Sequence, residues 1–327
     1  MSHTRVRLES IAPRAWEHPA DKAASSVLRG IPGLPEFLRQ VGSLTSDRSL
    51  RLLWLGSSLR ATPLQFPHLH AALLEACRVL DVNPVPEVFV APGLGLNAMA
   101  VGFEKPFLVV SAGLLKELSE DELLAVLGHE LAHIKAGHMV YRTVLWLLTN
   151  LSLSLAQAAE WVQLPLVAAL KDWERKSELS CDRAGALVCQ NPAAARRALI
   201  RISYPGHSDH IDEAEVLKQA ADYDTSPDVL DSLYKFMNVA QLSHPLLVPR
   251  VAELERWCRE STYATILAGN YPRLDGSDDP SASVAQDAQE AYNDWKTTLN
   301  SSADAGSQLL GKAVTEAERL LGGMLGK

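Results

Sequence analysis

The sequence predicts a mainly α-helical protein with a small β-sheet, which is an α+β fold. Two long stretches, at about 120–140 and 166–190, carry the start and stop signals of helices. Between residues 87 and 111, three short segments rich in Val and Phe are separated by Gly and Pro and predict strands. Of the 327 residues, 47% are apolar and 21% are charged, which is typical of a globular chain with one or two cores.

The first elements follow from turn and breaker signals. Residues 1–62 predict a helical lead-in that turns at Gly30-Ile-Pro-Gly33. Apolar spacing then predicts a helix over Leu69–Leu80, and the prolines that follow prevent it from continuing. The predicted strands are Glu87–Ala91, Leu96–Val101 and Phe107–Ser111. Gly93 and Gly95 have the spacing of part of a nucleotide-binding fingerprint, but no third glycine or helix start follows, so they predict a turn.

Both long helices have defined ends. Ser119-Glu-Asp-Glu122 is a capping box, in which the Ser119 hydroxyl and the Glu122 carboxylate each accept a backbone N–H of the first turn. It predicts that a helix begins at about Glu120. The second helix is expected to end at Asn191-Pro192, where Asn191 can cap the helix that follows.

Composition excludes several classes of partner and suggests a location. The formal charge is −8, and no run of basic residues appears, so a nucleic-acid partner is not expected. Cys77, Cys181, Cys189 and Cys258 are far apart and form no Cys-x-x-Cys pair, which predicts buried, reduced thiols. The N-terminal residues have no apolar core of a signal peptide, which predicts a cytoplasmic protein.

One uncharged stretch raises the question of a membrane. Thr143–Ala159 carries no formal charge over 17 residues, but six of them are polar. A membrane-spanning helix needs about 20 mostly apolar residues, so a buried or surface-docked helix is expected, with peripheral membrane contact through 143–170 left open. After Asn270, the composition of residues 273–327 predicts a linker and a weakly amphipathic tail.

The chemistry-bearing motif lies in the capped helix, in Gly128-His129-Glu130-Leu131-Ala132-His133. At about 100° per residue, His129 and His133 lie about 40° apart around the helix axis, so both imidazoles can reach one ion. Glu130 lies beside them, where a general base would lie in the zincin arrangement. Two surface histidines and a glutamate also occur by chance on helices. The apolar flanks predict burial instead, and buried His and Glu need partners.

A catalytic zinc site needs a third protein ligand, and the second long helix offers Glu178, with Asp182 one turn later to hold a histidine. Glu174 is a rival ligand one turn earlier. Glu178 is favoured because an apolar segment follows it, whereas Glu174 stands next to charged residues. The alternative is that these acids form a solvated stripe with neighbouring bases.

The other histidines are weaker candidates. His138 would lie about 180° from His129 on a regular helix and so could not share its ion. His207 and His210 are expected in a solvated loop, and His68 and His70 on the surface.

Five ordered blocks resemble the HtpX-like and CAAX-prenyl-protease family of gluzincin metallopeptidases. They are Asn97-Ala-Met-Ala-Val-Gly, Val109-Val-Ser-Ala-Gly-Leu-Leu, Asp121 to His138, Glu178-x-x-x-Asp182, and Ser243-His244-Pro245 followed by Arg250. The similarity covers roughly residues 63–270. It implies a zincin-type core with a three-stranded sheet beside the helix that carries the two histidines.

The resemblance implies a role for each matched residue. One Zn²⁺ per chain would be bound by His129, His133 and Glu178, with Glu130 as the base. Asp182 would orient a ligand histidine, with Arg250 nearby. His244 would donate a hydrogen bond to the developing oxyanion. The strand that holds substrate would be formed by Asn97, Ala98, Met99 and Ala100. From the residues alone, His244 can equally be an ordinary loop histidine.

The leading hypothesis is a zinc-dependent metalloendopeptidase that cuts peptide or unfolded protein segments. Its domain would span 63–272, between the 1–62 lead-in and the 273–327 tail. One alternative is a metal-stabilised peptide-binding or chaperone-like protein. Another is a latent protease whose terminal segments cover the cleft.

Overall fold

The computed structural model describes residues 4–30, 47–93, 95–150, 160–224 and 246–274. The helices of the described residues are α1 (Pro19–Arg29), α2 (Asp47–Ser57), α3 (Pro67–Leu80), α4 (Ala112–Glu117), α5 (Glu120–Lys135), α6 (Met139–Asn150), α7 (Glu160–Cys189), α8 (Pro192–Ser203), α9 (Glu213–Asp224), α10 (Leu247–Arg259) and α11 (Ser261–Leu267). The strands are β1 (Leu59–Arg60), β2 (Val88–Ala91), β3 (Ala98–Val101) and β4 (Phe107–Ser111). The predicted α+β class is confirmed.

The strands form one mixed sheet in the order β1-β2-β4-β3. β2 and β4 run parallel, and β1 and β3 pair antiparallel with their neighbours. Three strands were predicted, and the fourth, β1, has only two residues, which is too short for an alternating pattern to be visible. Within the described sheet β3 is paired on one side only, so its other edge is available to a further strand.

The predicted local signals are present in the structure. The capping box at Ser119 forms, and the Glu122 carboxylate accepts the Ser119 N–H at 2.8 Å. The Asn191 side chain caps α8 by accepting the Ala194 N–H at 3.2 Å. Helix α3 ends at Leu80, where Asp81 adopts a left-handed φ of 53°. The capping box thus fixes the start of α5, the helix that carries His129 and His133.

Helices α5 and α7 form the centre of the molecule and approach each other through two glycines. A Cβ atom on Gly185 would lie 2.6 Å from the Ala125 carbonyl oxygen, and one on Gly128 would lie 2.6 Å from Val188 Cβ. No side chain fits at either position. This close approach brings the functional faces of the two helices together.

The first long helix is shorter than predicted. A helix was expected from about Glu120 to Val140, but α5 ends at Lys135 and α6 begins at Met139. Gly137, with a φ of 72°, turns the chain between them, since that backbone conformation suits glycine. The second long helix begins at Glu160, earlier than the predicted residue 166.

The N-terminal helix α1 packs against α7. Asp21, Ser25 and Leu28 are buried on its inner face, and Trp173 of α7 donates its indole N–H to the Ser25 hydroxyl at 2.8 Å. The predicted lead-in therefore supplies part of the packing around the long helix that carries Glu178.

The four cysteines form no disulfide, as expected. All four cysteines are free thiols, three buried and Cys258 partly buried. Among the residues that the structure describes, no helix combines the length and the apolar character needed to cross a membrane. Residues 151–159, within the uncharged stretch, and most of the tail lie outside the described ranges.

Candidate metal centre

Three side chains from α5 and α7 converge. His129 Nε2 and His133 Nε2 lie 3.2 Å apart, and each lies within 3.3 Å of an oxygen of Glu178 (3.3 Å from His129 and 3.2 Å from His133). Ligands about 2.1 Å from a tetrahedral zinc ion are about 3.3–3.4 Å from one another. The donor types and their spacing therefore fit a single tetrahedral metal ion with one position left for another ligand.

The structure distinguishes Glu178 from its rival Glu174. The Glu178 side chain is 3% exposed and faces both imidazoles, whereas the Glu174 carboxylate lies 3.6 Å from Arg142 Nε. Asp182 is also 3% exposed. The solvated acidic stripe is therefore wrong, because the periodic acids of α7 face the protein interior.

Asp182 joins the candidate ligands to α10. Its Oδ1 atom lies 3.0 Å from His129 Nδ1, on the side of the ring opposite Nε2. Arg250 makes a two-pronged contact with the same carboxylate, at 2.8 and 2.6 Å, and lies 3.3 Å from Glu178 Oε2. A carboxylate on Nδ1 fixes the ring and leaves Nε2 available to a metal.

The charges around the site favour a cation. Burial alone would lower the pKa of His129, but the carboxylates of Glu178 and Asp182 raise it to about 9. Burial would raise the pKa of Glu178, yet His129, His133 and Arg250 hold it well below the usual range. The ionised carboxylates thus hold a proton on His129 when no metal competes for it. A divalent cation bound there would displace that proton.

Glu130 lies between the two histidines in sequence and contacts the sheet. Its Oε2 atom accepts the N–H of Ala100 in β3 at 2.8 Å. Burial raises the pKa of the Glu130 carboxyl, although Arg142 acts in the opposite sense. The edge strand therefore runs directly past the carboxylate that the sequence analysis singled out as a base.

A cleft of about 330 Å³ opens onto the site. His129, Glu130, Glu178, Asp182 and Arg250 line it, together with Asn97 and Ala98 from the start of β3. Of the four predicted substrate-holding residues, Ala98, Met99 and Ala100 belong to β3, the strand that borders the site, and Asn97 comes directly before it. His244 lies outside the described residues, and nothing in the structure bears on its position.

Arg142 was missed by sequence reasoning. Only 13% of its side chain is exposed, and its guanidinium lies 3.7 Å from Glu130 Oε2 and 3.9 Å from Glu178 Oε1. The signal in the sequence was a single basic residue at the start of an uncharged run. Such a residue can mark either a boundary or a buried ion pair, and here it is buried among three carboxylates.

His138 was also missed, because its position was derived from an unbroken helix. The turn at Gly137 brings His138 Nδ1 to 3.1 Å from His133 Nδ1, and its Nε2 atom lies 3.6 Å from Asp21 of α1. The Cys181 sulfur lies 3.8 Å from His138 Nδ1. His133, His138 and Cys181 therefore form a second group of side chains that could bind a metal ion. That group is buried and uses the other nitrogen of His133, and neither His138 nor Cys181 lines the cleft described above.

Comparison with known proteins agrees with this geometry. Residues 63–258 match the family described as Peptidase family M48. The chain belongs to Peptidase family M48. The resemblance to HtpX-like proteases is thereby confirmed, and the protein is a metallopeptidase.

The relatives include proteases from plants and archaea. The chain is 34% identical over 257 residues to the plastoglobule-localized metallopeptidase 48 of Arabidopsis thaliana, covering 77% of this chain and 74% of the relative. It is 25% identical over 237 residues to protease HtpX homolog 2 of Methanosarcina mazei, covering 64% of this chain and 79% of the relative. No solved structure matches this chain.

Proposed function

We propose that this metallopeptidase is a zinc-dependent endopeptidase that cuts extended or unfolded protein segments. The observation that carries the proposal is the close approach of three donor groups. His129 Nε2 and His133 Nε2 lie 3.2 Å apart, and the Glu178 carboxylate lies 3.3 Å from the first through Oε2 and 3.2 Å from the second through Oε1. Two imidazoles and one carboxylate form a donor set that is typical of catalytic zinc. One ion per chain is expected at this site.

The mechanism depends on the residues that bind the zinc ion and on those that orient its ligands. A bound zinc ion lowers the pKa of water to about 7 and polarises a carbonyl group. His129, His133 and Glu178 would hold it, while Asp182 keeps the Nδ1 proton of His129 in place. Arg250, paired with Asp182, keeps that carboxylate ionised and oriented, since burial would raise the pKa of Asp182 but Arg250 lowers it.

Glu130 is proposed as the general base. It would accept a proton from the attacking water and return it to the leaving amine. A carboxyl whose pKa is raised by burial is better matched to proton transfer near neutral pH than an ordinary one. By the resemblance, His244 would donate a hydrogen bond to the developing oxyanion.

Substrate is proposed to bind as a strand alongside β3. In the antiparallel ladder, Asn97 accepts the N–H of Ser111, so the alternating pattern directs the backbone groups of Ala98 and Ala100 away from β4. The Ala100 N–H is donated to Glu130, so a substrate chain would use the N–H and C=O of Ala98 and the C=O of Ala100. An extended chain could pair there and pass Glu130. A folded segment would not present the backbone groups that this edge requires, which is why unfolded chains are the expected substrates.

The cytoplasmic location and the peripheral membrane contact through 143–170 both stay predictions. The relative from Arabidopsis thaliana is named as plastoglobule-localized, which is a statement about that protein.

The test replaces the proposed base. Glu130→Gln keeps the size of the side chain but cannot accept a proton. It should lower the hydrolysis of casein by about 100-fold or more while the metal content stays near one ion per chain. Glu120→Gln, on the exposed first turn of the same helix, is the matched control and should retain full activity. A chelator should stop hydrolysis by the wild-type protein.

Two results would contradict the proposal. Unchanged turnover in Glu130→Gln would reject the assigned base. Binding of casein without chelator-sensitive products, in a protein that carries its metal, would favour the peptide-binding or chaperone-like alternative.

A further inference from the structure

We infer that a second cavity, which lies along β3 between α2 and α6 and borders the metal cleft, binds a large apolar side chain of the substrate. The inference rests on the proposed function, because it adds a site of side-chain selection to the same peptide-binding edge. The cavity has a volume of about 330 Å³, which lies near the lower end of the range of ligand pockets, about 300–1,000 Å³. We refer to it as the α2–α6 cavity.

Apolar side chains of α2, α6 and β3 form much of its wall, and Asn97, Arg142, Thr143, Lys171 and Glu174 add polar and charged groups. Helix α2 contributes Leu50, Leu53 and Trp54, and α6 contributes Leu145 and Trp146. Leu53 is 57% exposed and Trp146 is 43% exposed. Single exposed apolar residues are common on protein surfaces, but two that line one concave site next to a catalytic cleft indicate a binding surface.

The cavity shares part of its wall with the metal cleft. Asn97 and Ala98 line both the α2–α6 cavity and the metal cleft. Arg142 lines the cavity and extends to within 3.7 Å of Glu130. A peptide that occupies the edge of β3 would therefore have both cavities beside it.

The two faces of β3 determine which side chains enter. Met99 and Val101 pack on the α2 side of the sheet, whereas Ala98 and Ala100 pack on the α5 side. Because consecutive residues of a strand point to opposite faces, a chain paired with β3 would direct alternate side chains to the two sides. The metal cleft, on the α5 side, has its own apolar wall, which includes Val126 and Leu199. The geometry thus predicts apolar preferences at two substrate positions that are an odd number of residues apart.

The occupant we assign is a substrate side chain of the Leu, Phe or Met class. The competing occupant is a segment of this chain, since residues 31–46 and 151–159 adjoin the two lining helices in sequence and lie outside the described ranges. The wall that the cavity shares with the metal cleft favours a substrate side chain as the occupant. Cleavage patterns of neighbouring variants distinguish a substrate side chain from a segment of this chain.

The experiment compares cleavage patterns of neighbouring variants. The wild-type protein, Leu53→Arg and Leu52→Arg are each incubated with unfolded casein, and the cleaved bonds are identified by mass spectrometry. Leu52 and Leu53 are equally exposed, at 57%, but only Leu53 lines the cavity. Peptides that carry either Leu or Ala at the preferred position then give kcat/KM values.

Leu53→Arg should reduce the Leu-over-Ala ratio of kcat/KM by about tenfold or more, because a charge replaces part of the apolar wall. Leu52→Arg should leave the ratio unchanged. An unchanged ratio in Leu53→Arg would overturn the inference and favour occupation by the chain's own segment. An equal change in both variants would also overturn it. Absence of chelator-sensitive cleavage by the wild-type protein would instead reject the proposed function.

Discussion

For single residues, helix periodicity predicts which candidate ligands share a helix face, but it does not predict what surrounds them. His129 and His133 share a face because they are four residues apart, and the same rule relates Glu178 to Asp182. Arg142 and Asp21 have no such local relation to the site. Their contacts join residues that are far apart in sequence, so only the folded chain reveals them.

The Asp182 carboxylate gives a prediction at this scale. Asp182→Asn removes the charge that Arg250 pairs with and weakens the hold on His129 Nδ1. We expect the affinity for Zn²⁺ to fall by about 10–100-fold, measured by competition with a chromogenic chelator. Asp172→Asn is the control, because Asp172 lies on the same helix and, within the described residues, forms ion pairs with Arg175 and Lys176 and not with a candidate ligand. Equal affinities for zinc in the two variants would contradict the role given to Asp182.

At the scale of elements, signals at helix ends were the most reliable part of the sequence. The capping box and the Asn191 cap are where they were predicted, because each depends on residues only three positions apart. The break at Gly137 was missed because a glycine near a helix end is weak evidence without the backbone angle. The prediction that His138 lies about 180° from His129 assumed a regular helix, and the turn at Gly137 removes that premise. No candidate group in the described residues holds both histidines.

The close approach of α5 and α7 gives a prediction at the scale of elements. Gly185→Ala would bring a methyl group against the Ala125 carbonyl, so the helices must separate and Glu178 must move relative to the two histidines. We expect the free energy of unfolding to fall by about 1–3 kcal/mol, with weaker zinc binding in the same variant. Thermal unfolding and chelator competition measure the two effects.

Gly56→Ala is the matched control for that substitution. Gly56 lies within α2, and a Cβ atom there would meet nothing within 4 Å. Its free energy of unfolding should stay the same or rise by up to about 1 kcal/mol, because alanine favours helices. A Gly185→Ala protein as stable as the wild type, with unchanged zinc affinity, would show that the helices tolerate separation.

At the scale of the whole molecule, parts distant in sequence are brought to one centre. Helix α1 precedes the stretch that matches Peptidase family M48, yet its Asp21 contacts His138, which contacts His133. Helix α10, near the other end of the described chain, supplies Arg250. The division into lead-in, peptidase domain and tail stays a prediction, as does gating by the tail.

The central claim is that one metal ion is held between α5 and α7, and the metal content of two neighbouring variants tests it most directly. Glu178→Gln removes the proposed ligand, and Glu174→Gln alters the rival carboxylate one turn earlier on the same helix. Both proteins, purified alongside the wild type, would be measured for bound zinc after dialysis. We expect about one zinc per chain in the wild type and Glu174→Gln, and much less in Glu178→Gln. Full zinc in Glu178→Gln, or its loss only in Glu174→Gln, would contradict it.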